Sequence, residues 1–403
     1  FWDAADVTIT DNTIDGTTFD FINIGSFTGT LHPIKNNAFV NVGTSKLHNR
    51  TASAVDATEN WWGGGIDPTN NIQNSGGGSI DYSPWWGANY VGDDHSSSWT
   101  WYTDDSIQAA IDAASAVDTI NVAAGTYNEG VTVIDKELTI VGDSLDKPVI
   151  KPTADTGDTL WAIGPTGRGW FQVTGGPVEF ENLVFDGSGK AVRIAVYYAG
   201  GGEQPPSLGG AVKNCDFKNI QYAQYKGRGV SNYGGYVEVI NCTFANIERI
   251  GVFTGEATAE SLIRGCTYTG KGAGDWLDYA FEVGAGAHAT IEDNTVTACY
   301  GEDSGWASAG IYVHEAFGSG TSANITVNTI SGWNHGIDVG YGEHETSVVV
   351  AHYNNLTGND FGVTSVGPQI PLVDATSNWW GSASGPSGEG PGSGDKVSTN
   401  VDY

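Results

Sequence analysis

Along most of this chain the apolar residues come in short bursts, two positions apart, separated by glycine and polar turns. Ile120 and Val122, Val131 and Val133, and Leu138 and Ile140 show the spacing, with Gly125 and Gly142 as punctuation. That is the period of a half-buried strand. Only residues 104–115 depart from it: Ile107, Ala110, Ile111 and Ala114 lie on one face of a helix, with Asp104 or Asp105 as the N-cap.

From Pro177 onward the bursts form a ladder. One slot stands two residues before an apolar position in each copy and is filled by Leu183, Cys215, Cys242, Cys266, Asn294, Asn328 and Asn354, at steps of 24 to 34 residues. A second, offset ladder places Phe253, Glu282, Tyr312, Asp338 and Thr364 at equivalent positions. A repeat of this length, with short strands and no helix, predicts an all-β fold, a parallel β-helix in which each repeat is one coil. Coils stack at about 4.8 Å, and no coil buries its own apolar side chains. The crossovers predict a right-handed winding. An inward Asn at a bend can bond to backbone and to the Asn above and below it, with Cys in its place where the bend is drier. The helix has a natural job in such a fold, covering an end whose backbone groups would otherwise lie unpaired.

The chain also repeats itself on a larger scale. VDATENWWG at residues 55–63 returns as VDATSNWWG at residues 373–381, with eight of nine residues identical. VTITDNTI echoes ANITVNTI 316 positions later, and Ile80-Asp81-Tyr82 echoes Val401-Asp402-Tyr403. Residues 1–91 therefore read as the last coils and closing segment of one unit. Residues 92–403 read as a whole unit, with a cap helix at 104–115, coils over about 119–385 and a Gly-rich tail at 381–403.

The run TINVAAGTYNEGVTVIDKELTIVGDS at residues 119–144, preceded by SIQAAIDAA, resembles the first coils of right-handed parallel β-helix proteins of the pectin-lyase-like superfamily. NCTFANI and DNTV are similar to its inner coils, and VDATSNWWGSASGP to the closing coil of large secreted members. The resemblance implies the fold. It leaves function open, because the superfamily holds lyases, hydrolases, esterases, epimerases, adhesins and fibre proteins.

Composition narrows the partners. The net charge is −30 with 17 Lys and Arg in 403 residues, which argues against nucleic acid and disfavours anionic polysaccharides, leaving neutral glycans, cations and protein surfaces. No apolar run approaches a membrane span. The chain opens at Phe1 without Met or leader, which predicts a processed or cut product, extracellular or at the cell surface. Sequons at Asn49, Asn241, Asn324 and Asn355 fit glycosylation of such a protein. Cys215, Cys242, Cys266 and Cys299 lack zinc spacing and read as buried thiols, with a disulfide between adjacent copies as the alternative.

Chemistry is less legible. Glu282 and Asp338 fall two coils apart, about 10 Å, just past the wide end of the carboxylate spacing used in inverting glycoside hydrolysis. Tyr312 lies between them, and His314 and His335 are close by. The competing reading is a solvated polar face. Trp276, Trp306 and Trp333 precede successive copies of that ladder and suit a sugar-stacking platform or folded-down loops. Arg193, Arg228, Arg249 and Arg264 read as isolated surface residues. Asp20-Phe21-Ile22 matches a fragment of a pectin esterase motif whose Arg-Pro-Trp partner is missing. The turns at Asp186, Gly274-Asp275 and Gly301-Glu302-Asp303 suit a calcium ion as the one cofactor expected. Tandem duplication and the lack of a catalytic signature put an extracellular structural or adhesive protein first, with units joining head-to-tail into a fibre or layer. A secreted polysaccharide lyase, glycoside hydrolase or glycan-binding module is the rival.

Overall fold

The structure is a computed structural model. It describes residues 6–15, 22–25, 30–40, 46–63, 68–87, 100–199, 209–274, 277–303, 306–342, 346–365 and 372–403. Two compact units are present: Phe1–Tyr127 with Leu138–Pro148, and Asn128–Glu137 with Val149–Tyr403. The first takes in residues 100–127, which the repeat pattern assigned to the second block. No described helix is long and apolar enough to cross a membrane.

In the second unit each coil contributes one strand to each of three parallel sheets. The first sheet runs through Pro177–Glu181, Gly209–Lys213 and Gly235–Ile240 to Ser322–Thr326 and Val348–His352. The second runs through Val184–Asp186, Asp216–Lys218 and Thr243–Ala245 to Asn355–Thr357. The third contains Ile194–Tyr198, Arg228–Asn232, Ile250–Gly255, Tyr279–Gly284, Ala309–Val313, His335–Val339 and Phe361–Ser365. Its buried inner row is Val196, Val230, Val252, Phe281, Ile311, Ile337 and Val363, in register throughout. Phe185, Phe217 and Phe244 stack inside the second sheet at 5.0 and 5.1 Å.

The slot residues line up at the bend between the first and second sheets. The N–H of Asn294 donates to Asn328 Oδ1 at 3.0 Å, that of Asn328 to Asn354 Oδ1 at 2.9 Å and that of Asn354 to Asn378 Oδ1 at 2.8 Å. Each amide also donates back to a carbonyl of the preceding coil: Ile263, Ile291, Ile325 and Ala351 in turn. The cysteines reproduce that second bond, with Cys242 Sγ on Val212 O at 3.3 Å and Cys266 Sγ on Val239 O at 3.4 Å, and each thiol also reaches the carbonyl two residues before it. All four cysteines are buried and none forms a disulfide. Burial pushes the Cys242 thiol well above its ordinary pKa. Cys299 lies elsewhere, its thiol on Asp278 Oδ2 at 3.1 Å.

The residue before each slot is left-handed: Asn182, Asn214, Asn241, Gly265 and Asp293 have φ of 56°, 53°, 53°, 66° and 56°. Asn, Asp and Gly tolerate this region, which explains why Asn precedes Cys215 and Cys242. Val327 occupies the same position at φ 61°, half exposed and β-branched. Val327→Asn is therefore expected to stabilise the protein by about 1 kcal/mol, read from denaturant unfolding.

In the first unit Asn12, Asn37 and Asn60 continue the same pattern, with Oδ1 of Asn37 and Asn60 accepting the N–H of the preceding Asn at 3.1 and 2.9 Å. The repeated motif folds alike in both units. Val55–Asp56 pairs with Ile80–Asp81 as Val373–Asp374 pairs with Val401–Asp402. Thr58 and Thr376 donate to Asp56 and Asp374 at 2.8 and 2.9 Å, and Glu59 and Ser377 share the left-handed region.

The helix is Ile107–Ala113, shorter than the pattern predicts. Its N-cap is Ser106, not Asp104 or Asp105: Ser106 Oγ accepts the N–H of Ala109 at 3.2 Å. It buries Ile107, Ala110 and Ile111 near Thr100–Thr103 and Asp118–Val122. Thr100–Thr103 is no open edge, because Trp85–Trp86 pairs antiparallel on its other side.

Candidate active site

The third sheet carries the chemistry on its outer face. Tyr197, Ser231, Phe253, Glu282, Tyr312, Asp338 and Thr364 form one row in strict register across successive strands. Glu282 and Asp338 are separated by the single strand that carries Tyr312, so two strand spacings, about 10 Å, part them. The row is not a solvated face. Glu282 and Asp338 are each 7% exposed and Tyr312 is 4%. The cause is an apolar cluster built on the outside of this sheet from Ile194, Tyr197, Ile250, Phe253, Tyr279 and Tyr312, with Leu160, Tyr225 and Trp306 packed over it.

Those covering residues come from the bends on either side of the sheet. Leu160, Arg168, Tyr225, Leu277 and Trp306 lie on the approach to a third-sheet strand, and Tyr233, Glu256, Phe317 and Tyr341 lie just past one. Between them is a groove made of two adjoining cavities of about 370 and 310 Å³, which share Glu282, His314, Ala316 and Phe317. Leu160, Arg168, Arg228, Tyr233, Phe253 and Glu256 line the first end, and Arg249, Tyr279, Trp306, Tyr312 and Tyr341 the second. Phe317 is 94% exposed at the rim and held at φ 75°. Such strain in a non-glycine residue gathers at functional sites.

Glu282 is fixed by His314, whose Nε2 lies 3.2 Å from Oε1. The Nδ1 of His314 accepts the N–H of Ala316 at 3.1 Å. A nitrogen that accepts cannot also carry the proton, so Nε2 is the protonated one and donates to Glu282. The imidazole lies over Gly284, where a Cβ would come within 2.7 Å of Nε2. Any larger residue there would push the ring off Glu282. The other carboxylate oxygen, Oε2, is buried without a partner among the described residues. Burial pushes the Glu282 carboxyl up, but the His314 hydrogen bond and the positive charge of Arg228 and Arg249 outweigh it and hold it below the ordinary value. It is a carboxylate at neutral pH. Burial raises the Tyr279 phenol, and the Glu282 charge adds to that.

Asp338 repeats the arrangement in the other direction. Its Oδ2 lies 2.9 Å from His335 Nδ1 and its Oδ1 is buried without a partner. A carboxylate on Nδ1 leaves the second ring nitrogen, Nε2, as the working one, the logic of a base held by an orienting acid. His335 is partly exposed and meets Phe361 edge-on at 5.6 Å.

Arginines converge on the same face. Asp158 gathers Arg193 at 2.9 Å, Lys226 at 2.8 Å and Arg168 at 3.6 Å. Arg228 stands over Phe253 at 4.1 Å and donates to Tyr233 Oη at 3.0 Å, and Arg249 lies over Tyr279 and donates to Tyr225 O. Burial, then the neighbouring charge of Arg228, lowers Arg193 to about 10. These are not isolated surface residues. Arg264 alone of the four is exposed, and it too is paired, with Glu292 at 3.5 Å. The sequence signal for the cluster was there: four of the six arginines fall within residues 168–249. What it lacked was the register that brings them together.

Partial burial pushes the Asp158 carboxyl up, but Lys226, Arg193 and Arg168 outweigh it and hold it below its ordinary value. A depressed acid contributes stability above its unfolded pKa of about 3.9 and loses it as pH falls through the folded value. Thermal melts between neutral pH and about pH 2.5 should therefore show an acid limb that Asp158→Asn flattens.

The remaining candidates separate. Trp306 lines the groove and stacks on Tyr341 at 5.0 Å. Trp333 is fully buried in the coil interior, its Nε1 on Val296 O, and cannot meet a sugar. Trp276 lies outside the described residues, as do Asp20, Phe21 and Asp275. Asn241, Asn324 and Asn355 are exposed. Asn49 is fully buried, donating to Ser53 O and accepting from Thr51, so its amide cannot carry a glycan. No group of three or more His, Cys, Asp or Glu placed to hold a metal occurs among the described residues. Asp186 is already bonded by Asn219, Ser188 and Lys218.

Residues 171–369 match the family model for the right-handed beta helix region. No curated protein matches. Among solved structures, the PL6 family alginate lyase AlyGC is 14% identical with a TM-score of 0.46, and a mutant of that enzyme is 13% identical with a TM-score of 0.48. Both alignments cover 98% of this chain, which spans 58% of the lyase's length.

Proposed function

We propose that this chain, a right-handed parallel β-helix protein of the pectin-lyase-like superfamily, binds and cleaves a polysaccharide in the groove on its third sheet. The observation that carries the reading is the pair of buried carboxylates in one outer row. Each is held by a histidine, and each keeps an oxygen without a partner inside or beside an aromatic-walled groove. Scission of a glycosidic bond, by hydrolysis or by elimination, needs a base and a proton donor fixed on either side of it. Glu282, ionised and lining both cavities of the groove, suits the base. His335, oriented by Asp338, suits the proton carrier. Tyr312 forms the wall between them, with its hydroxyl on Gly340 O at 3.3 Å. An extracellular or cell-surface location fits this reading.

The test is depolymerisation of a panel of neutral and acidic polysaccharides, followed by reducing ends and by unsaturated products. Activity on one polymer, lost in Glu282→Gln and in Asp338→Asn, is the expected result. An intact panel after prolonged incubation would sink the reading.

A second reading is a structural or adhesive surface protein whose units join head-to-tail. The closing motif that folds alike in both units favours it, since repetition supplies length. Filaments in electron micrographs of the purified chain would support it, and monodisperse particles would count against it.

A further inference from the structure

We infer that the groove selects a glycan of mixed charge, seating an anionic sugar at its Arg168–Arg228 end and a neutral sugar at its Trp306–Tyr341 end. The inference rests on the functional reading above and deepens it.

The two ends differ in kind. The net charge of the chain is −30, yet Arg168 and Arg228 both line the first end, and Asp158 binds Arg168 together with Arg193 and Lys226. Asp158 is consumed by Arg193, Lys226 and Arg168. Arg228 is left without a carboxylate at ion-pair distance among the described residues, and its Nε is buried without a partner. Its face is closed by Phe253 at 4.1 Å, which fixes the guanidinium plane. Glu256 and Glu282 also line this cavity. Glu282 already answers to His314, and its depressed pKa records the pull of Arg228 and Arg249. A half-buried cation held in place with an unused donor is costly unless an anion completes it. Arginine's planar fork matches a carboxylate or a sulfate ester, two forms in which polysaccharides carry negative charge.

The second end has the other chemistry. Tyr279 and Tyr312 lie 4.7 Å apart, and Trp306 and Tyr341 stack at 5.0 Å with an interplanar angle of 15°. Tyr341 is 48% exposed and Phe317 projects from the rim. Flat aromatic faces of this kind meet the apolar face of an uncharged sugar ring. Arg249 is the one cation there, and its guanidinium lies over Tyr279 with a donor on Tyr225 O. Glu282 lines both cavities, so the bond between the two sugars would lie beside its carboxylate.

The test is calorimetric binding to the whole chain of oligosaccharides of equal length: alternating uronate–hexose, all-uronate, all-neutral, and alternating sulfated hexose–hexose. The expected result is that one alternating series binds at least about tenfold tighter than both uniform series, the uronate and sulfate arms showing which anion is used. Arg228→Gln should lower the alternating ligand to the level of the neutral one and leave the neutral one unchanged. Arg228→Lys should restore part of the difference, and Trp306→Ala should lower the alternating ligand to the all-uronate level. Melting curves matching the parent show that the variants fold. Equal binding of a uniform series, or an Arg228→Gln loss that is the same for neutral and charged ligands, overturns the inference and leaves glycan cleavage standing. Failure of every glycan to bind overturns the functional reading itself.

Discussion

Glu282→Gln is expected to fold as the parent does and to lose about 10²–10⁴ of its turnover on whichever polymer the parent cleaves. Gln keeps the shape of the side chain and can still accept from His314 Nε2, so the groove is preserved. It cannot take a proton. Circular dichroism and melting temperature should match the parent while reducing-end release falls. The rate profile carries a second prediction. His314, Arg228 and Arg249 hold the Glu282 carboxyl below its ordinary 4.5, so the acid limb due to this group lies below that pH. In His314→Ala, only Arg228 and Arg249 would remain to offset burial, and the limb should move to higher pH. If the limb stays put, the imidazole does not govern that carboxylate.

The largest expected loss of stability follows from Asn328→Leu. Asn328 is 1% exposed and stands mid-ladder. Its Oδ1 accepts from Asn294 N and Nδ2 at 3.0 and 2.9 Å, and its Nδ2 donates to Ile291 O and Asn354 Oδ1, each at 2.9 Å. Leucine fills nearly the same volume and satisfies none of these partners. Each buried group left unmet costs about 1–3 kcal/mol, so a loss of roughly 3–5 kcal/mol is expected in denaturant unfolding. Asn328→Cys should lose about half as much, because the Cys242 and Cys266 thiols show that sulfur can still reach the carbonyl of the preceding coil. Equal losses in the two variants would show that the amide ladder adds nothing beyond that single donor.

The coil was legible in the sequence because its determinants are local and periodic. Slot residues stand two before an apolar position, and the left-handed turn before each slot asks for Asn, Asp or Gly, as at Asn241 and Asp293. The outer row of Phe253, Glu282, Tyr312 and Asp338 was legible for the same reason, since register in a parallel stack follows from repeat phase. The groove was not legible. Its walls come from bends of unequal length, and nothing periodic says that Leu160 and Trp306 fold over the sheet. Trp333 shows the limit from the other side. It stands before a copy of the ladder as Trp306 does, yet it lies at the end of the second-sheet strand Thr329–Trp333 with its ring inside the coil. The arginines were misread because net charge is a sum over the surface, whereas recognition depends on where the few exceptions sit.

Three bends join the sheets of each coil, and they are used differently. One holds the asparagine and cysteine rungs on which strand alignment depends; the other two supply the walls of the groove. Because the first and second sheets stand between the two sets, a wall segment such as residues 153–168 or 315–321 can be exchanged, lengthened or grafted from another protein without touching a rung. Changes in the two sets should then combine independently. Such a scaffold lets selectivity drift quickly while the spine that carries it stays the same, and directed evolution aimed at new sugars would do best to randomise those walls and leave the rungs alone.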